Sequence, residues 1–105
     1  MFYTYLLASK RYGTLYCGHT DNLGVRVQQH RDKSVGGFTA KYDVNLLVWY
    51  EEHPSREQAF LAERQIKKWN RAWKISLIEQ DNPWWSDPYP AFLAGGQSPD
   101  PRPDR

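Results

Sequence analysis

Cysteine is nearly absent from this sequence, and long apolar runs are missing. Cys17 is the single cysteine in 105 residues, so no internal disulfide can form and disulfide-stapled secreted folds are excluded. No apolar run approaches the roughly 20 residues that a helix needs to cross a bilayer. The N-terminus also lacks the features of a secretory leader, which are basic residues, an apolar stretch and a cleavage site with small residues. We therefore expect a cytoplasmic protein that does not bind membranes.

Aromatic residues are abundant instead. Five Trp, seven Tyr and four Phe make up 15% of the chain, so a few large rings should supply much of the core. The length suits one domain with a single modest core and is too short for two. We predict that this domain covers residues 1–91 and that residues 92–105, where Gly, Pro, Asp and Arg dominate, form a disordered tail.

The net charge of +2 is too small to identify a partner, but its distribution is informative. Residues 1–42 carry six basic residues against two acidic ones, and residues 63–79 carry five against two. The block between them, residues 43–62, has one basic residue against four acidic ones. This pattern permits a surface that faces phosphate if the fold joins the two basic blocks. Ordinary solvated helix faces would give the same pattern.

The N-terminal part of the chain predicts a β-hairpin followed by a helix. Residues 2–8 and 14–18 are aromatic and apolar, with a polar stretch between them that ends in glycine. If Tyr5 and Tyr16 are cross-strand neighbours, both rings lie on one face of the sheet. Gly18 would then let the chain leave the strand closely. Thr20 or Asp21 can cap a helix that runs to about residue 32.

Within this helix, the spacing of Leu23 and Val27 predicts the face that packs on the sheet, with Arg26 and His30 in the adjoining row. Residues 33–43 should form a loop. Residues 44–52 predict a third strand. The alternation along it predicts that one face holds Leu46, Val48 and Tyr50.

Two more helices are predicted near the C-terminus. Ser55 is the expected cap of a helix over residues 56–69, in which Ala59, Ala62, Ile66 and Trp69 recur at helical spacing. Glu63 falls within this apolar stripe, where a carboxylate is costly unless it is bound. The second helix should cover residues 72–79, with three inward side chains. These are Trp73, Leu77 and Ile78.

Four features of the pattern suit phosphodiester hydrolysis: the tyrosine pair, the Arg/His pair, the buried carboxylate and the basic surroundings. Hydrolysis needs a base for water, cations for the phosphate charge and a stabilised leaving oxygen, which a carboxylate-held metal can provide. Each feature also has a plainer interpretation. Strand tyrosines are mostly core residues, a helical His is usually structural, and Glu63 could pair with Lys67 one turn on. Tyrosine is also a weak base unless cations lower its pKa.

The order of these residues resembles the GIY-YIG nuclease superfamily. The likeness extends over about residues 2–87, and 62-AERQIKKWNRAWKISLIEQDNPWW-85 is similar to small single-domain bacterial members related to the nuclease domain of the excision-repair incision subunit. The matching positions are Tyr3-Thr4-Tyr5, Tyr16-Cys17-Gly18, Thr20, Asn22-Leu23, Arg26, His30, Glu63 and Asn82. This resemblance implies an α+β, sandwich-like fold with a three-stranded antiparallel sheet flanked by about three helices.

The resemblance also implies roles for five residues. Tyr5 and Tyr16 would border the active site, with one of them acting as, or assisting, the base that activates water. Arg26 would steady the scissile phosphate, and His30 would assist hydrogen bonding or proton transfer. Glu63 would hold one divalent metal ion, Mg²⁺ or Mn²⁺. The expected activity is that of a metal-dependent endonuclease acting on DNA in repair or processing, with RNA as the alternative substrate.

Some positions depart from the family pattern or have open roles. Tyr3, Thr4 and Cys17 replace the usual Gly, Ile and Ile, and the change at Tyr3 could alter access beside the sheet. Asn82 would support the site or start the turn at Pro83. Five residues are candidates for contacting nucleic acid: Arg31, Lys41, Tyr42, Lys67 and Asn82. Lys41 and Tyr42 could equally be a surface lysine beside a core tyrosine.

Two other functions compete with the nuclease. The altered first motif and the small size would suit an inactive or weak nucleic-acid-binding module of the same fold. The Trp-rich segment around Trp84 and Trp85 would suit a protein-interaction domain if its rings are exposed. Because one small domain makes few DNA contacts, a protein partner or a dimer could also be needed to supply affinity.

Overall fold

The computed structural model describes residues 1–34 and 36–87 of the chain. The predicted domain end at residue 91 and the predicted tail at residues 92–105 lie outside the described residues. The helices and strands are β1 (Phe2–Ala8), β2 (Leu15–Thr20), α1 (Leu23–Arg31), α2 (Gly37–Lys41), β3 (Leu46–His53), α3 (Arg56–Lys68) and α4 (Arg71–Asp81). The expected α+β architecture is confirmed, since the described part of the chain has a three-stranded sheet and four helices, one of them short. Within the described residues, no helix is long and apolar enough to span a membrane.

The sheet is antiparallel and has the order β2-β1-β3, so β1 is central and β2 is an edge strand. Tyr5 pairs with Gly18 across β1 and β2, and Leu7 pairs with Tyr16. The two tyrosines are therefore diagonal neighbours on one face and do not stand directly opposite each other. Gly18 lies inside β2 and does not mark its end, so its expected role in leaving the strand is wrong.

A β-bulge alters the alternation of side chains along β3. Leu6 pairs with Trp49 and Leu7 pairs with Leu47, which leaves Val48 as the extra residue. As a result, Leu46 and Val48 share one face of the sheet, whereas Tyr50 packs on the other. The prediction of a single shared face was wrong at Tyr50 because an inserted residue shifts the period of two.

Each face of the sheet carries its own apolar cluster. Side chains of α1 cover one face in a cluster of Tyr5, Leu7, Leu23, Val27, Val44 and Leu47. Helices α3 and α4 cover the other face in a cluster of Leu6, Ala8, Cys17, Val48, Trp49, Ile66, Ile78 and Trp85. The sheet is thus buried on both sides, and the opposite orientation of successive β1 side chains explains the division.

Short polar side chains begin three of the helices. Ser55 accepts a hydrogen bond from the backbone of Gln58 and caps α3 as predicted. Asn22 caps α1 through the backbone of Val25, so the cap lies one residue beyond Asp21 and two beyond Thr20, the two predicted caps. Asn70 caps α4 in the same way. Each cap satisfies a backbone N–H that the first turn leaves without a helical partner.

Two other expectations differ from the structure. The predicted loop over residues 33–43 contains the short helix α2. Trp73 of α4 is 59% exposed, and Ile75 joins Leu77 and Ile78 against the core in its place. The Trp73 ring instead makes an edge contact with Trp69, at a centroid distance of 5.9 Å. Helical spacing alone could not decide which face of α4 packs against the core, because apolar residues are present on both sides of this helix.

Candidate active site

The phenol of Tyr5 lies over Gly18, its cross-strand partner on β2. An ideal Cβ built on Gly18 would lie 2.6 Å from the hydroxyl oxygen of Tyr5 and 2.7 Å from its Cζ. It would also lie 3.1 Å from Cε2 of Tyr16. Only a glycine leaves room for the buried Tyr5 ring to cross β2 at this level. The glycine therefore positions the phenol of Tyr5 toward helix α1.

His30 forms a hydrogen bond with the Tyr5 phenol and a second one with helix α2. The hydroxyl oxygen of Tyr5 lies 3.2 Å from Nε2 of His30, and Nδ1 of His30 lies 2.9 Å from Oγ1 of Thr39. All three side chains are buried. The resulting chain of hydrogen bonds joins one strand and two helices, so it fixes the imidazole orientation within the fold.

The protonation of this chain follows from its burial. Burial, together with the neighbouring charge of Tyr16, raises the pKa of Tyr5 well above its usual value, and Arg26 offsets only part of the rise. Burial and the positive charge of Arg26 lower the pKa of His30. Tyr5 thus keeps its proton, and a neutral His30 makes one hydrogen bond through each ring nitrogen, Nε2 with Tyr5 and Nδ1 with Thr39. The sequence-based idea that cations lower the pKa of this tyrosine does not hold for Tyr5.

Next to this buried chain is an open pocket of about 320 Å³. Tyr16, Arg26 and His30 line it from β2 and α1, and α2 with its preceding turn closes the other side. Tyr16 and Arg26 are only partly buried, so both are accessible from solvent. The Tyr16 ring lies 5.5 Å from the imidazole of His30, measured between centroids. The pocket therefore combines an accessible phenol, a guanidinium and an imidazole.

Glu63 projects from α3, which packs on the opposite face of the sheet. Its residue is only 8% exposed, and both carboxylate oxygens have partners. Nδ1 of His19 lies 2.6 Å from Oε1, and Nζ of Lys67 lies 2.6 Å from Oε2. These partners offset the cost of burying the carboxylate. The position of Glu63 within an apolar stripe had predicted that its carboxylate would be bound. The plainer interpretation, an ion pair with Lys67, is thus also present.

Lys67 connects the carboxylate to the tyrosine pocket at the edge of the sheet. Its ammonium nitrogen, bonded to Glu63, lies 6.0 Å from the ring centroid of Tyr16. The hydrogen bond that Lys67 donates to the Glu63 carboxylate raises the pKa of Lys67, which keeps the amine charged. The charge of Glu63 in turn contributes to the raised pKa of Tyr5. Although α3 covers the other face, its carboxylate reaches the edge strand β2 at His19.

The donors around Glu63 fit a divalent cation that keeps most of its coordination shell as water and phosphate oxygen. Carboxylate oxygen is the donor that Mg²⁺ prefers, and Mn²⁺ also accepts an imidazole nitrogen such as that of His19. No cluster of three or more His, Cys, Asp or Glu side chains that could hold an ion occurs in residues 1–34 and 36–87. Lys67 is half-exposed, so its ammonium can move into water and free one oxygen of Glu63.

The residues expected to contact nucleic acid have different environments. Lys41 and Tyr42 are exposed, with the lysine nitrogen 5.4 Å from the Tyr42 ring centroid, so Tyr42 is not a core residue. Lys67 is exposed beside the pocket, as described above. Arg31 forms an ion pair with Asp87.

Asn82 has an internal role in the structure. Its buried amide donates to the carbonyl oxygens of Val48 and Ser86, and its side-chain oxygen accepts from the backbone of Ser86. These bonds end α4 and hold the following turn, which was one of the two roles expected for this residue. The structure does not bring Asn82 to the tyrosine pocket.

Three residues of the site escaped the sequence analysis. His19 is the partner of Glu63, Thr39 is the partner of His30, and Phe38 lines the pocket. The alternation of β2 could have placed His19 on the same face as Cys17, but nothing in the sequence paired that face with Glu63. Thr39 and Phe38 lie in the segment that was predicted to be a loop, where no helical spacing was expected.

The tryptophans of the C-terminal segment have opposite exposures. Trp84 is 55% exposed, whereas Trp85 is buried and donates from its indole nitrogen to Glu79. One exposed ring does not form an apolar patch by itself. This segment therefore gives little support to a protein-interaction surface centred on the two rings.

Comparisons with known proteins identify the family of this chain. The family model of the GIY-YIG catalytic domain matches residues 1–76. A UPF0213 protein of Streptococcus sanguinis is 36% identical over 69 residues, which cover 65% of this chain and 78% of that protein. A UPF0213 protein of Staphylococcus haemolyticus is 30% identical over 78 residues, covering 74% of this chain and 94% of that protein. No solved structure matches the chain significantly. The chain belongs to the GIY-YIG family, a nuclease superfamily, as its ordered tyrosines, arginine, histidine and glutamate had indicated.

Proposed function

We propose that this protein is a divalent-metal-dependent endonuclease that hydrolyses phosphodiester bonds in DNA. The observation that carries the proposal is the meeting of two groups from opposite faces of the sheet. The pocket of Tyr16, Arg26 and His30 lies on the α1 face, and Glu63 reaches the edge strand from α3. Lys67 joins the two groups, since its nitrogen bonds to Glu63 and lies close to the Tyr16 ring.

Arg26 is the residue that we assign to the scissile phosphate. Its guanidinium lines the pocket beside Tyr16, and a guanidinium can bind two non-bridging phosphate oxygens at once. Charge accumulates on these oxygens as water adds to phosphorus. A positioned cation stabilises that charge more strongly in the transition state than in the bound substrate. Loss of Arg26 should therefore reduce turnover as well as binding.

Tyr16 is the phenol that we assign to the attacking water. It is accessible in the pocket, whereas Tyr5 is buried and its raised pKa keeps its proton in place. Once the phenol has given its own proton to solvent, the Tyr16 oxygen would accept a hydrogen bond from the water and take the water's proton as the new phosphorus–oxygen bond forms. Tyr5, His30 and Thr39 form the support behind it, because their hydrogen bonds fix the wall of the pocket.

Glu63 would hold the divalent ion, with His19 as the adjacent nitrogen donor. When bound there, Mg²⁺ or Mn²⁺ supplies positive charge for the phosphate and the leaving oxygen. The protein contributes a single, largely buried carboxylate whose position is set by helix α3. Glu63 also keeps the ammonium of Lys67 near the pocket when the two side chains are paired.

The test is cleavage of labelled single-stranded, nicked and branched DNA, and of a matching RNA strand, with Mg²⁺ or Mn²⁺. The wild-type protein should cut DNA only when the metal is present, and Glu63→Gln should reduce the rate by about 100-fold or more. Glu57→Gln is the matched control, because Glu57 is an exposed carboxylate in the first turn of the same helix. Cleavage that persists in Glu63→Gln, or that Glu57→Gln impairs equally, would contradict the assignment.

A second function, nucleic-acid binding without turnover, is favoured by one observation. Lys67 and His19 already occupy both oxygens of Glu63, so an ion must compete with a built-in cation. A binding module would need no metal, and its affinity would fall steeply with salt because phosphate contacts release counterions. Salt-dependent binding of DNA in a chelator, together with no products on any substrate after addition of metal, would support this function over the first.

A further inference from the structure

Two exposed aromatic rings, one from α2 and one from its C-cap, lie beside the tyrosine pocket. Phe38 is in the helix and lines the pocket, Tyr42 follows four residues later as the C-cap, and each residue is 47% exposed. Their ring centroids are 4.9 Å apart with an interplanar angle of 51°. In a domain of this size, large rings would normally be buried, because each removes a large apolar area from water. This pair therefore leaves apolar ring surface in contact with solvent beside the pocket.

The position of Phe38 relative to the pocket is fixed by its neighbour. Thr39 points inward and bonds to His30, which holds α2 against α1. Phe38 lines the pocket together with Tyr16 and Arg26. A ligand whose phosphate is bound at Arg26 would therefore pass the Phe38 ring as it leaves the pocket, and the Tyr42 ring lies next to it.

The charges around the pair favour a nucleotide over an apolar peptide. The ammonium of Lys41 lies 5.4 Å from the Tyr42 ring centroid, and Arg26 lies on the pocket side of Phe38. Basic side chains interleaved with aromatic rings are the arrangement that binds single strands, in which phosphates meet cations and bases stack on rings. An apolar peptide would leave these charges without compensation.

We propose that Phe38 and Tyr42 form a stacking platform for an unpaired nucleobase next to the phosphate bound at Arg26. This inference rests on the proposed function and narrows its substrate class. In a continuous duplex, both faces of every base are covered by stacked neighbours, so no face is available to a protein ring. The preferred substrate is accordingly DNA with at least one unpaired base beside the scissile bond, as in a single strand, a flap or a splayed junction.

The test measures binding and stacking without turnover. A short oligonucleotide that contains the fluorescent base 2-aminopurine is titrated with protein in a chelator, once as a single strand and once paired with its complement. Wild-type protein should bind the single strand more tightly and quench its fluorescence. Phe38→Ala should weaken single-strand binding by about 5-fold to 100-fold, which is the range for losing one stacked base, and should leave duplex binding unchanged.

Matched variants separate stacking from other effects. Trp73→Ala removes another exposed ring, on α4, and should change neither binding nor quenching. Phe38→Trp should restore quenching, and an unchanged thermal unfolding curve for Phe38→Ala shows that the fold is kept. Equal binding of single strand and duplex, or single-strand binding that Phe38→Ala and Tyr42→Ala leave unchanged, would overturn the inference.

The cleavage assay distinguishes the failure of this inference from the failure of the proposed function. Metal-dependent cutting of continuous duplex, undiminished in Phe38→Ala, would retain the nuclease and reject the platform. Quenching that depends on Phe38, in a protein that cuts no substrate, would retain the platform and reject the nuclease.

Discussion

Tyr5 and Gly18 pair across β1 and β2, and the phenol of Tyr5 fills the space that a side chain at position 18 would need. Gly18 thus shapes the site because its lack of a side chain leaves space for the Tyr5 ring. Because Tyr5 is buried and bonded to His30, its ring cannot move away from Gly18 without disturbing its packing and this hydrogen bond. The orientation of Tyr5, and with it the wall of the pocket, depends on this one missing Cβ.

Gly18→Ala should therefore destabilise the protein and impair the site. Its Cβ would meet the Tyr5 oxygen at 2.6 Å, so the ring or the strand must shift, at a typical cost of about 1 to 3 kcal/mol. The measurement is the free energy of unfolding in urea. Gly24→Ala is the control, since its nearest neighbour is Oδ1 of Asn22 at 3.9 Å and alanine favours helices. Equal stability of the two variants would contradict the prediction.

The two tyrosines should respond differently to loss of their hydroxyl groups. Tyr16→Phe should lower the cleavage rate by about 100-fold or more with little change in stability, because its hydroxyl faces the pocket. Tyr5→Phe should lower the free energy of unfolding by about 1 to 3 kcal/mol, because Nε2 of the buried His30 loses its partner. Single-turnover cleavage and urea unfolding measure these effects. A larger rate loss in Tyr5→Phe would reverse our assignment of the two phenols.

The stability that His30 contributes should decrease in mild acid. Burial and Arg26 lower the pKa of His30 in the folded protein, so the unfolded chain binds a proton more readily. The stability is therefore complete above about pH 6.5, the ordinary pKa of histidine, and falls as the pH drops toward the lowered folded pKa.

The expected result is that the stability difference between wild type and His30→Gln shrinks from pH 7.5 to pH 5.5, by up to about 1.4 kcal/mol per pH unit. Urea unfolding at several pH values measures it. Other groups titrate in both proteins, so their contributions largely cancel in the difference. A difference that widens toward acid would contradict the neutral, buried His30.

Removal of the Lys67 ammonium should strengthen metal binding at Glu63. A divalent ion must displace the Lys67 nitrogen from Oε2, and half-exposed ion pairs contribute up to about 1 kcal/mol. Lys67→Met should therefore tighten the Mn²⁺ dissociation constant by up to about 5-fold, measured by titration calorimetry without DNA. Lys68→Met removes an equal charge from an exposed neighbour in the same helical turn and should have a smaller effect. Weaker Mn²⁺ binding by Lys67→Met would contradict the competition.

Local patterns in the sequence were enough to predict several elements. The cap at Ser55, the first hairpin and the inward stripe of Leu23 and Val27 follow from side-chain chemistry and spacing within a few residues. The ordered tyrosines, arginine, histidine and glutamate also indicated the family, because such a combination over most of a chain is specific. These features depend on short sequence distances or on order along the chain, and both can be read without coordinates.

The tertiary structure decided what depends on distant contacts. The register that places Tyr5 opposite Gly18, the bulge at Val48 and the helix α2 result from how the strands and helices pack. The pairing of His19 with Glu63 joins residues 44 positions apart, so no local pattern could show it. The sequence alone thus determined which chemical groups are present. Only packing decided which of them meet, because a buried carboxylate, phenol or imidazole takes its properties from the neighbours that the fold brings to it.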